Sequence, residues 1–146
     1  MPGPPIVVGV DGSPASIDAL RWADRQAGLT GVSLEAVIGW QQPARSNNVN
    51  YGAVRDWPAV AQDVLAAAVA EADLSSSCVQ TVIEGHPAQV LVAASADAEL
   101  LVVGSRGHGG LMGTLLDSVS DAVVARARCP VVTVHHHSSP PLQEKP

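Results

Sequence analysis

The sequence predicts an α/β fold: a doubly wound parallel sheet of five strands with helices on both faces. Three observations point to it. Short continuous apolar runs such as Ile6–Asp11 (IVVGVD) and Glu99–Val103 (ELLVV) read as strands buried on both sides, as parallel sheets require. These runs alternate with segments whose apolar residues return every three or four positions, in the order β-α-β-loop-α-β-α-β-loop-α-β. Glycines stand at the strand ends, at Gly9, Gly39, Gly85 and Gly104, where such sheets bind ligands.

Taken in order, Ile6–Asp11 is the first strand, and Ser13-Pro14 supplies an N-cap and a proline at N1 for the first helix. Ile17, Leu20, Ala23 and Ala27 form that helix's apolar face, and Gly28 is the expected stop. Val32–Trp40 is the second strand, and Gln41 to Asp56 is a long polar loop without periodicity. Trp57-Pro58 opens a second helix with Val60, Val64, Leu65, Ala68 and Ala72 on one face, broken by Ser75–Ser77. Cys78–Glu84 is the third strand, Gly85-His86-Pro87 a turn and helix start, and Val90, Leu91 and Ala94 line a short third helix. Glu99–Val103 is the fourth strand, Gly104 to Gly113 a glycine-rich connection, and Ser118–Arg128 the fourth helix, with Val119, Val123, Val124 and Ala127 inward. Cys129-Pro130 leads into the fifth strand, Val131–Val134. One domain over residues 1–137 and a proline-containing disordered tail over 138–146 are expected.

Composition narrows the function. The 146 residues carry a net charge of −6 with only 8 basic residues, which argues against nucleic acid as a partner. With Trp 3, Tyr 1 and Phe 0, no base-stacking platform can be assembled. The one lysine, Lys145, sits in the tail, so neither a Walker lysine nor a Schiff-base lysine is available. No positively charged leader opens the chain and no stretch approaches 18 apolar residues, so a cytoplasmic protein with no membrane partner is expected. Cys78 and Cys129 read as packed thiols.

The densest chemical signal is Gly104-Ser105-Arg106-Gly107-His108-Gly109-Gly110-Leu111-Met112-Gly113, five glycines in ten residues between a buried strand and a helix. Such a loop brings backbone N–H groups close to an anion, and the following helix adds its positive dipole end. Arg106 could add a charge-assisted contact. A tightly turned loop without a ligand is the competing reading. No Ser–His–Asp arrangement or other catalytic set can be placed, and a dinucleotide fingerprint is missing after the first strand, which reads Gly9-Val10-Asp11-Gly12-Ser13.

Five segments together resemble the universal stress protein family in its single-domain form. They are Val7-Val8-Gly9-Val10-Asp11-Gly12-Ser13, Gly85-His86-Pro87-Ala88, Leu101-Val102-Val103-Gly104-Ser105-Arg106-Gly107, Ser118-Val119-Ser120-Asp121 and Cys129-Pro130-Val131-Val132-Thr133-Val134. The resemblance implies a Rossmann-like sheet, a homodimer through the last strand, and a stress-response regulatory or protective role without turnover. Some members bind ATP through Gly, two residues, Gly, nine residues, then Gly and Ser or Thr; Gly104, Gly107 and Ser118 fall in that register. By this resemblance, Asp11 and Val37 or Ile38 would line a nucleoside pocket, and Gly9 and Gly85 would admit the ligand closely. Gly104, Arg106, Gly107, His108, Gly109 and Gly110, with Ser118, Val119 and Ser120, would hold the phosphates of ATP with Mg²⁺. A nucleotide-hydrolysing enzyme of the same fold is the alternative.

One position departs from the motif: Asp117 stands where glycine is expected. Two unit charges 4 Å apart repel by roughly 4 kcal/mol at an effective dielectric of 20. Even half of that lowers affinity more than tenfold, so Asp117 is expected to weaken or abolish ATP binding unless Mg²⁺ bridges the charges. His135-His136-His137 would put His135 and His137 on one face if the last strand continued, but a tail is the favoured reading over a metal site.

Overall fold

The structure is a computed structural model that describes residues 3–42, 56–105 and 116–136, without the side chains of Leu116 and Asp117. The elements are β1 (Ile6–Gly9), α1 (Pro14–Thr30), β2 (Leu34–Trp40), α2 (Trp57–Ala72), β3 (Cys78–Glu84), α3 (Pro87–Ser95), β4 (Leu100–Gly104), α4 (Leu116–Arg126) and β5 (Val131–Val134). The strands form one parallel sheet in the order β3-β2-β1-β4-β5, with Val8 flanked by Ala36 and Val102.

Side chains alternate across the strands and fill two cores. On one face Ile6, Val8, Leu34, Ala36, Ile38 and Val102 pack against α1 and α2 through Ile17, Leu20, Ala61 and Leu65. On the other, Val7, Val37, Leu101 and Val103 pack against α3 and α4 through Val90, Leu91, Val119 and Val123. The doubly wound arrangement expected from the alternating pattern is therefore present. The long 41–56 loop falls mostly outside the described residues, as do the 106–115 part of the glycine-rich connection and the 138–146 tail.

Several boundaries differ from expectation. β1 stops at Gly9, two residues early, because the chain turns at Gly12 (φ 84°), although the Val10 N–H still donates to the Val37 carbonyl. α1 runs past Gly28 to Thr30. Gly28 costs the helix at most about 1 kcal/mol, whereas Gly31 adopts the left-handed conformation (φ 75°) and donates its N–H to Ala27, which ends the helix. α4 begins and ends two residues earlier than expected. Val124, expected inward, is 57% exposed: α4 covers the sheet with a narrow stripe, and one residue beyond Val123 is already 100° around the helix.

Strand order reverses at β1, whose neighbours β2 and β4 are reached by connections leaving in opposite directions. The crevice beyond the carboxyl ends of β1 and β4 is where such sheets place ligands.

Candidate functional site

The carboxyl end of β1 is built by a network of short polar side chains. Ser13 is the N-cap of α1, and its Oγ accepts the Ser16 N–H at 3.2 Å. Ser16 Oγ in turn donates to the Ser13 carbonyl at 2.9 Å, and both serines are buried. Asp11 closes the turn: its Oδ1 accepts the Ser13 N–H at 2.9 Å. The other carboxylate oxygen, Oδ2, is buried and has no hydrogen-bond partner among the described residues. A buried polar atom without a partner is costly and rare in native proteins.

The glycines expected near a ligand also have partners inside the protein. A Cβ on Gly9 would lie 2.6 Å from Leu91 Cδ1, the far end of a side chain that a rotamer shift could move aside. At Gly104 a Cβ would lie 2.7 Å from Ala15 Cβ and 2.8 Å from the Ala15 carbonyl carbon, because α1 crosses the end of β4. Gly85 has φ 149°, and a Cβ there would meet Val90 Cγ2 at 3.0 Å.

Val37 is 1% exposed, with its side chain in the α3-facing core and its carbonyl accepting from Val10. In α4, Ser118 is exposed, whereas Val119 and Ser120 are buried. The backbone of Asp117 belongs to the first turn of α4. Arg106, Gly107, His108, Gly109 and Gly110 lie outside the described residues. The structure thus brings Asp11, Gly9 and Gly104 to adjacent strand ends.

Three polar features had little local signal. His86 caps α3, its Nδ1 accepting the Ala88 N–H at 3.2 Å; its place just before Pro87 is the only hint in the sequence. Asp24, buried on α1, accepts from Ser75 N–H and Oγ and from Ser76 N–H, 51 and 52 residues away. Burial pushes its pKa up, but those hydrogen bonds outweigh burial and hold it below the usual carboxylate value. His136 Nδ1 lies 2.6 Å from Asp18 Oδ2, tying the segment after β5 to α1. β5 ends at Val134, so His135 lies beyond the strand and His137 outside the described residues. No group of three or more metal-ligating side chains occurs among the described residues. Burial raises the pKa of the free thiols Cys78 and Cys129, as expected for packed cysteines. No helix among the described residues is long and apolar enough to cross a membrane.

Two universal stress proteins of Mycobacterium tuberculosis are similar. One is 38% identical over 130 residues, covering 88% of this chain and 44% of the relative. The other is 39% identical over 141 residues, covering 90% and 46%. The chain thus spans about half the length of the curated relatives it matches. A universal stress protein of Archaeoglobus fulgidus solved in complex with dAMP superposes with a TM-score of 0.65 at 25% identity, covering 92% of this chain and 99% of that one. A universal stress protein solved with cAMP shares the fold, with a TM-score of 0.64 at 24% identity, covering 92% and 98%. The model of the universal stress protein family matches residues 4–135, and this chain belongs to that family.

Proposed function

We propose that the chain is a non-catalytic stress-response module that binds an adenine nucleotide at the carboxyl ends of β1 and β4. The observation that carries this reading is the buried, unpartnered Oδ2 of Asp11 at the sheet's switch point. A ribose hydroxyl is the kind of donor such an oxygen accepts from. The relatives of known structure that hold dAMP and cAMP support adenine nucleotides as the ligand class.

Gly104, Arg106, Gly107, His108, Gly109, Gly110, Ser118 and Ser120 are the proposed phosphate neighbourhood, mostly through backbone N–H groups. Asp117, in the first turn of α4, sets a negative charge against a long phosphate tail. Monophosphates are therefore favoured over ATP in this member unless Mg²⁺ bridges Asp117 and the phosphates. A homodimer through β5 and a cytoplasmic setting complete the proposal. Among the described residues β5 is an outermost strand with one edge unpaired, and the two free thiols suit a reducing compartment.

Calorimetry with AMP and with ATP, each with and without Mg²⁺, tests the site. Asp11→Ala should abolish binding of both, and Asp117→Gly should tighten Mg²⁺-free ATP at least tenfold while changing AMP little. Absence of binding to the native chain and to Asp117→Gly under every condition refutes the nucleotide site. Phosphate release above a no-protein control refutes the non-catalytic reading. A monomer by light scattering at micromolar concentration refutes the dimer.

A further inference from the structure

Away from this crevice, α3 and α4 do not interlock along their outer surfaces. They leave an open groove of about 370 Å³ between them, within the range of small-molecule sites (roughly 300–1,000 Å³). Its floor has a sequence cause. Ala88 and Val92 of α3 and Ala96 at its C-cap recur every four residues and oppose Ala122 of α4, so small apolar side chains leave a trench where longer ones would meet.

Two arginines, Arg126 and Arg128, line the same groove, and neither forms an ion pair among the described residues. Arg126 is the last residue of α4 and Arg128 lies beside Ser95, the last residue of α3, so the negative ends of both helix dipoles favour positive charge here. The main chain at Arg128 is held there by a specific contact. Its backbone N–H donates at 2.9 Å to the Oγ of Ser95, which is 1% exposed and itself donates to the Val92 carbonyl at 2.6 Å. Two arginines thus line one groove, with no carboxylate ion-paired to either among the described residues, in a chain whose net charge is −6. Arginine forks take carboxylate or phosphate oxygens in pairs.

We propose that the α3–α4 groove binds a small organic anion: a carboxylate or phosphate monoester head held by Arg126 and Arg128, on a compact apolar body lying over the alanine floor. α4 descends from the carboxyl end of β4 to the start of β5, so the arginines lie at the opposite end of the strands from Asp11. This site is separate from the proposed nucleotide site and stands or falls independently of it.

The test is amide NMR titration of the native chain with hexanoate and with hexyl phosphate, using hexanol and inorganic phosphate as controls. Saturable shifts centred on Ala88, Ala93, Ala96, Ala122 and Arg128 are expected with both organic anions. Each of Arg126→Ala and Arg128→Ala, at exposed positions, should weaken binding about tenfold. Ala93→Leu, filling the groove from its exposed rim, should block binding while the spectrum stays folded. The proposal is overturned if neither organic anion shifts these amides, or if hexanol or inorganic phosphate alone matches them. It is also overturned if the arginine variants bind as the native chain does. If anionic vesicles shift these amides and the free anions do not, the face reads a membrane surface and the small-anion site is refuted.

Discussion

Replacing Gly104 with alanine should destabilise the fold for a reason unrelated to any ligand. The added Cβ would lie 2.7 Å from Ala15 Cβ, 2.8 Å from Ala15 C and 3.0 Å from Ala15 O. Carbon atoms in contact normally sit about 3.5–4.0 Å apart, so α1 would have to retreat from β4 by roughly 1 Å. Two of the three atoms are backbone, and no rotamer change relieves them. Nor is α1 free to retreat: Ile17, Leu20 and Ala23 are buried against the sheet, and Asp24 is bonded to Ser75 and Ser76. Overpacking of this kind costs about 1–3 kcal/mol, and the backbone contacts put Gly104→Ala near the upper end. For a domain of this size that is a fall in Tm of about 6–12 °C. Thermal and urea denaturation followed by circular dichroism measures it, with two other glycines as references. Gly28, helical and with open space around it, should gain about 0.5–1 kcal/mol on change to alanine. Gly31, equally open but at φ 75°, should lose about 1 kcal/mol through backbone strain alone. If Gly104→Ala unfolds within 0.5 kcal/mol of the native chain, contact with α1 does not require glycine there.

Asp24→Ala should cost about 3 kcal/mol, measured by urea denaturation, since it strips the acceptor from three donors of Ser75 and Ser76. Because the folded pKa of Asp24 is depressed, its contribution is complete above the unfolded value of about 4 and is lost as pH falls through the folded pKa. The stability gap between the native chain and Asp24→Asn should therefore narrow below about pH 4; a gap constant from pH 7 to pH 3 refutes the assignment. His86→Ala should lose about 1 kcal/mol by removing the α3 cap, and His86→Asn should restore most of it in the same melts.

Much of the fold was legible locally. The apolar runs marked all five strands, and Ser13-Pro14, Trp57-Pro58 and His86-Pro87 marked three helix starts, because strand burial and helix capping are written in neighbouring residues. Asp11 was also legible, as a carboxylate at the end of a buried strand. That its Oδ1 is taken by Ser13 while its Oδ2 is buried without a partner was not, since burial of one atom depends on everything packed around it.

The chain alone determined which residues form strands and helices, the alternation that makes the sheet parallel, and the motif that identifies the family. Tertiary structure alone decided why particular residues stand where they do. Gly104 yields to Ala15, Asp24 clamps a turn 51 residues away, and Arg128 is drawn against Ser95 of another helix. The physical reason is one of range. Periodicity, caps and turns are set by interactions within a few residues, whereas contact between distant segments depends on how two helix layers settle on a shared sheet.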